Sequence, residues 1–266
     1  MDLIDVRETR VARTRADLVF APGELPLGGG TWLFSEPQPG LTGLVDLTSL
    51  DWQPVTRTAH ELTIAATCTV ATLRELPDSP LFQQCADSLL ASWKVQYIAT
   101  VGGNVCLALP AGPMTSLAVA MDAVAEVWAP DGSTRHINAA DLVTDVRETV
   151  LAHGEVLRSL TLPRTAVDAR TAFRRISLSP LGRTGTLVIG RRDASGEFVV
   201  TVSGGTTRPH QFRFDEVPSG AALASAVDTI DDWYLDAHGT PDWRRAMSLR
   251  FADEIRVELE TLGAES

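Results

Sequence analysis

Residues 25–33 read LPLGGGTWL and residues 99–113 read ATVGGNVCLALPAGP. Consecutive glycines let a main chain take positive φ angles and approach a ligand closely with its N–H groups exposed. In Gly28-Gly29-Gly30-Thr31 and in Thr100-Val101-Gly102-Gly103-Asn104 the glycines stand beside hydrogen-bonding side chains. Phosphate is the natural guest, and two such loops can clamp one pyrophosphate. Taken singly, each is also an ordinary tight turn that binds nothing. Neither has the G-x-G-x-x-G spacing of a dinucleotide fold or the Lys-Ser/Thr end of a P-loop, so a different phosphate cradle is required.

Outward from the first loop, LTGLVDLTSL (41–50) reads as a strand ending in a turn, and ELTIAATCTVATLREL (61–76) as a strand leading to a helix with Thr69 as N-cap. From Pro80 to Ile98, Leu81, Cys85, Leu89, Trp93 and Ile98 recur at near-helical spacing, which predicts one core-facing helix. Beyond the second loop, TSLAVAMDAVAEVWAP (115–130) ends in a strand, and Asp131-Gly132 predicts a hairpin with STRHINAADLV as the return strand. EVLRSLTLP (155–163) reads as an edge or final strand. TLVIGRRDASGEFVVTVSGG (186–205) gives two strands about a turn, and PDWRRAMSLRFADEIRVELETL (241–262) a helix of about five turns.

The chain has 266 residues, 34 acidic and 23 basic, for a formal charge of -11. That sign repels phosphate backbones and anionic lipid surfaces, so nucleic acid and membranes are poor partners. Arg170, Arg174, Arg175, Arg183, Arg191 and Arg192 form a local basic cluster, either a solvated face or an attractor for an anionic ligand. No run is long and apolar enough to span a membrane, and MDLIDVRETR lacks the features of a signal peptide, so a cytoplasmic protein is expected. Cys68, Cys85 and Cys106 have no metal-binding spacing and are expected to be buried thiols.

Other chemistry has little to stand on. His60, His136, His153, His210 and His238 are scattered, with no H-E-x-x-H or G-x-S-x-G motif. Asp231-Asp232 and Asp253-Glu254 read as capping or solvated charge, and no residue is assigned a catalytic role.

With their neighbours, the two loops resemble those of the FAD-binding subunit, or domain, of the molybdenum hydroxylases, the family of xanthine dehydrogenase and aerobic carbon monoxide dehydrogenase. The resemblance extends to PDGSTRHINAADLV (130–143), GEVLRSLTLP (154–163) and FRRISLSPLGRTGTLVIG (173–190), in the family's order and spacing. It implies an α+β protein. Two α/β lobes of the vanillyl-alcohol-oxidase type, 1–55 and 56–165, hold FAD between them, and a C-terminal lobe, 166–266, has a three-stranded antiparallel sheet and helices.

The resemblance implies that Leu27, Gly28, Gly29, Gly30, Thr31, Trp32 and Leu33, with Thr100, Val101, Gly102, Gly103 and Asn104, supply N–H groups and hydroxyls to the pyrophosphate and ribityl, with Pro26 also among the cofactor-binding residues. Leu90 and Leu157 would line the adenine or ring pocket, Leu109 would also belong to the cofactor-binding set, and Arg174 would match the family's basic residue beside the flavin ring. Pro113 and Trp32 depart from the pattern, each standing where the family commonly has an acidic residue. Neither loop holds a histidine or cysteine, so FAD is expected to bind non-covalently. The molybdopterin and 2Fe-2S clusters would sit on a large and a small partner subunit, with this chain passing electrons to NAD, a quinone or oxygen. Two alternatives share these residues: a stand-alone flavin oxidoreductase, and an assembly subunit that has lost FAD.

Overall fold

The computed structural model describes residues 3–264, of which the first part builds a small parallel sheet. Its strands are β1 (Glu8–Val11), β2 (Glu24–Leu27) and β3 (Gly43–Asp46), with β3 central and parallel to both neighbours. Leu44 and Val45 are both buried, as a strand covered on two faces requires. Val45 joins Ala12, Leu18, Leu47 and Val156 in a satellite core.

The second part carries β4 (Val55–Arg57), β5 (Glu61–Ala65), α1 (Val70–Arg74), α2 (Pro80–Ser88), α3 (Trp93–Gln96), α4 (Val101–Leu107), α5 (Pro113–Ala120), β6 (Val124–Trp128), β7 (Thr134–Asn138), α6 (Ala139–Leu142), β8 (Val143–Asp145), β9 (Glu148–Thr149), β10 (Val156–Pro163) and α7 (Arg164–Val167). The sheet order is β4-β5-β10-β6-β7, antiparallel throughout, with β8 and β9 as a separate ribbon. Thr69 caps α1 as expected, its side chain accepting from the Thr72 N–H.

Two expectations are corrected here. The stretch from Pro80 to Ile98 forms two helices, because Leu90 takes a left-handed φ of 54° after α2 and Ser92 caps α3 anew. The break turns Trp93 and Ile98 outward, 68% and 54% exposed, instead of into the core. β10 is the final strand of its lobe, as one half of the expectation had it, but it is central in its sheet and not an edge. Its imperfect alternation reflects burial on both faces, and Pro163 lies at its last pairing position, opposite Glu61.

The third part contains β11 (Arg170–Ile176), β12 (Thr186–Arg192), β13 (Phe198–Ser203), β14 (His210–Phe214), α8 (Gly220–Val227) and α9 (Pro241–Ala264). The antiparallel sheet runs β11-β12-β13-β14, so it has four strands where three were expected. β14 reads HQFRF and is half-exposed, which hides it from a search for apolar alternation. α9 spans 24 residues, longer than the expected five turns. On β12, Leu187 and Ile189 enter the main core with Leu62, Leu81, Met114 and Leu160, whereas Val188 faces Phe251, Ile255 and Leu259 beneath α8 and α9. The sheet is thereby covered on both faces.

Cys68 and Cys85 are buried as expected and burial raises both thiols, Cys68 to about 12, whereas Cys106 is exposed. No helix of the described residues is long and apolar enough to cross a membrane.

Asp78 ties three elements together. Its carboxylate accepts from Arg57 of β4 at 2.7 Å and from Arg164 of α7 at 3.1 Å, in the turn between α1 and α2. Hydrogen bonding from Arg57, against the opposing cost of burial and with help from Arg164, holds the carboxyl below its ordinary range. A depressed pKa contributes stability above the unfolded value near pH ~4 and loses it as pH falls through the folded value. Asp78→Asn should therefore destabilise at pH 7, with the gap to wild type closing below pH ~4. Urea midpoints at the two pH values check this, and a gap independent of pH would refute it.

Candidate functional site

The first glycine loop leaves the C-terminal end of β2 at Leu27, the end of a parallel sheet at which such folds bind ligands. Gly30 takes a φ of 67°, the left-handed region that favours glycine, and the Phe34 N–H donates to its carbonyl at 2.9 Å to close the turn. From Gly28 to Leu33, among the described residues, no backbone N–H donates to another atom of the protein. Unpaired donors in such a run are an anion cradle in waiting. Pro26 pairs with Val45 on the strand below, and Thr31, Trp32 and Leu33 are half-buried in the turn.

The second loop backs directly onto the first. A Cβ at Gly29 would stand 1.8 Å from the Ile98 carbonyl oxygen, and one at Gly28 would stand 2.7 Å from Thr100 Oγ1. The two motifs thus meet through main chain. Their chemistry differs from expectation, however, because residues 101–107 form α4 and Thr100 is its N-cap. The Val101 N–H donates to the Cys68 carbonyl at 2.8 Å, Gly102 to the Ala66 carbonyl at 2.9 Å, Gly103 to Thr100 Oγ1 at 3.0 Å and Asn104 to the Thr100 carbonyl at 3.0 Å. These donors are already engaged, so the second loop serves as a wall and not as a supply of N–H groups. Its glycines allow close packing without positive φ: a Cβ at Gly102 would meet Ala66 Cβ at 2.4 Å. Asn104 Oδ1 accepts from the Met114 N–H at 3.0 Å, which fixes the start of α5, where Pro113 is buried.

The remaining expected residues are not all brought to this junction. Leu90 sits at the break between α2 and α3 with 37% of its surface exposed, and Leu109 is half-buried just after Ala108, the left-handed cap of α4. Leu157 is 3% exposed inside the main core, a packing position on β10 and not an open lining. Arg174 is spoken for: it donates to Glu254 at 3.1 Å and Glu258 at 2.6 Å, both on α9. The expected contact with a flavin ring finds no support in that placement, because two carboxylates already offset the charge.

Arg174→Ala should therefore cost about 1 kcal/mol or less of stability, as partly exposed ion pairs do, and leave the flavin midpoint potential unchanged. Urea unfolding and spectroelectrochemical titration read the two effects, and a lowered potential would restore the ring contact.

The rest of the arginine cluster disperses likewise. Arg191 is buried against Asp122 and Asp193, Arg175 donates to Thr184, and Arg192 to the Leu259 carbonyl. Arg183 is exposed, in the loop between β11 and β12, with its Cζ 6.0 Å above the Trp32 ring. That contact, and the Ile98 backstop behind Gly29, escaped sequence reasoning. Arg183 had a signal in the cluster, whereas a main-chain carbonyl carries none in its residue type. A groove of about 570 Å³ lies apart, between Arg74, Asp87, Trp93 and Tyr97, and does not include the glycine loops.

Residues 12–165 match the family described as the FAD binding domain in molybdopterin dehydrogenase. The chain belongs to that family. Among solved structures of similar fold are quinoline 2-oxidoreductase from Pseudomonas putida 86, with a TM-score of 0.80, 19% identity and coverage of 95% of this chain and 96% of that one. Reconstituted carbon monoxide dehydrogenase from Oligotropha carboxidovorans gives 0.80, 18%, 94% and 97%. A carbon monoxide dehydrogenase from Hydrogenophaga pseudoflava, lacking the Mo-pyranopterin moiety of its cofactor, gives 0.79, 17%, 94% and 96%. No curated protein sequence matches the chain. As a member of the FAD-binding molybdopterin dehydrogenase family, the chain is an oxidoreductase subunit, and the unpaired N–H groups of Gly28 to Leu33 fit the anionic pyrophosphate of FAD.

Proposed function

We propose that this chain is the electron-transfer subunit of a multi-subunit molybdenum hydroxylase, with FAD held non-covalently between its first two lobes, 1–55 and 56–165, ahead of a third lobe, 166–266. The observation that carries this reading is the main chain from Gly28 to Leu33, held open against the wall at Ile98 to Thr100 with its N–H groups uncommitted. FAD, when bound, supplies acceptance and release of electrons. The chain's own part is to bind and orient: Gly28 to Leu33 neutralise the pyrophosphate through N–H donors, and α4 and the Thr100 cap keep that loop in register. No proton-transfer residue is required of this chain.

Partners follow from arithmetic. Three cysteines cannot ligate one four-cysteine iron–sulfur cluster, which supports 2Fe-2S clusters on a small subunit, and in this reading the molybdenum cofactor sits on a large one. The same unpaired cysteines suit a reducing cytoplasmic setting. The terminal acceptor is NAD, a quinone or oxygen.

Purified full-length chain should show flavin absorption and release intact FAD on heat or acid denaturation, and it should co-purify from its native host with iron- and molybdenum-containing chains. A protein with neither bound flavin nor affinity for added FAD would refute the reading. Flavin retained by the denatured chain would refute non-covalent binding.

A further inference from the structure

Trp32 stands in the middle of the open loop, two residues after the left-handed Gly30. Its indole Nε1 is shielded from solvent and has no hydrogen-bond partner. A buried donor left unpaired pays the loss of its hydration with nothing in return. Such a group in a native protein requires an explanation, and here the main-chain N–H groups on either side likewise have no protein partner.

From this we propose that Trp32 is a cofactor-binding residue through its side chain, with Nε1–H donating to a pyrophosphate oxygen of FAD. The proposal rests on the FAD reading above and assigns to the indole a role that the acidic residue commoner at this position cannot have, since a carboxylate would repel the same oxygen.

Arg183 lies over the same indole ring. That side chain is exposed and, among the described residues, its one recorded contact is the stacking over the Trp32 ring at 6.0 Å. A cation over an aromatic face at an exposed site is a weak interaction, and a charge-assisted hydrogen bond from a shielded donor to phosphate is a strong one. The balance favours displacement of Arg183 when the cofactor enters.

The test uses full-length protein stripped of flavin, titrated with FAD and separately with ADP, which carries the pyrophosphate without the flavin. Wild-type chain that binds FAD establishes the underlying reading independently. Trp32→Phe keeps an aromatic ring and removes the N–H. It should raise the Kd for both ligands on the order of tenfold or more, while the Tm of the flavin-free protein stays level or rises, because an unpaired donor has been removed. Arg183→Ala should leave both affinities level or tighter. Unchanged Kd values in Trp32→Phe would overturn the proposal, and so would a loss confined to FAD with ADP unaffected. A fall in flavin-free Tm alongside the affinity loss would make the ring a packing element instead. A loss in Arg183→Ala matching that of Trp32→Phe would make the arginine the phosphate ligand.

Discussion

Gly29→Ala should lower FAD affinity on the order of a hundredfold while leaving a folded protein, since moving the loop weakens several N–H donors to one anion together, each worth about 1 kcal/mol or more. The added methyl would stand 1.8 Å from the Ile98 carbonyl oxygen and 2.5 Å from its carbon, and both are main-chain atoms with no rotamer to give way. The first loop must then lift from the second, which moves the N–H groups of Gly28 to Leu33 together. The core beneath is untouched, because Val45 and Leu47 pack from the strand and not from the loop. Gly103→Ala is the matched control: Gly103 is exposed, and its Cβ would meet only Thr100 Oγ1, at 2.8 Å, a side-chain atom and not main chain. FAD titration of the two variants gives the answer, and equal affinities would show that the close approach at Gly29 does not shape the site.

Arg191→Met should destabilise the protein by about 3 to 5 kcal/mol, the cost of breaking a buried ion pair from one side. Arg191 is 1% exposed on β12, and it donates to the Ala120 carbonyl at 2.7 Å, Asp122 at 2.6 Å and Asp193 at 2.6 Å. Arg213 and Gln211 of β14 reach the same Asp122, which sits just past α5 with a φ of 52°. Burial alone would raise the Asp122 carboxyl, but hydrogen bonds from Arg213 and Arg191 more than offset it and hold the carboxyl below its ordinary range. Methionine fills much of the space but leaves Asp122 and Asp193 without their shared cation. A drop in Tm of roughly 10 °C is expected for a chain of this size. A variant melting with wild type would mean that the network contributes nothing net, as some buried ion pairs do.

The glycine loops were legible because two of them, each with a hydrogen-bonding side chain beside it, occur with neighbours that resemble one family's flavin loops, although either alone reads as an ordinary turn. What they do was only half legible. Positive φ applies at Gly30 alone among the glycines of the two motifs, and the others are small because Ile98, Thr100 and Ala66 lie against them. Those neighbours are set by tertiary packing, to which local patterning is blind. Arg174 shows the same limit: its partners Glu254 and Glu258 lie on α9, far along the chain, so a free cation and a committed one look alike in sequence. The helix break at Leu90 was hidden for a different reason. A leucine in the left-handed region carries none of the signature that glycine or asparagine would.

Because alternate residues of β12 belong to different cores, Leu187 and Ile189 to one and Val188 to the other, the two cannot melt in turn. Opening either strips one face of a strand whose other face remains packed, which no partial state tolerates cheaply. Amide protons of α5, β12 and β13 should therefore exchange at a single free energy, as one cooperative unit, above that of the satellite core around Val45. A gene fragment beginning near residue 166 would expose Leu187 and Ile189 to water and self-associate, so circular permutation or splitting of this chain has its best prospects on the N-terminal side of β4.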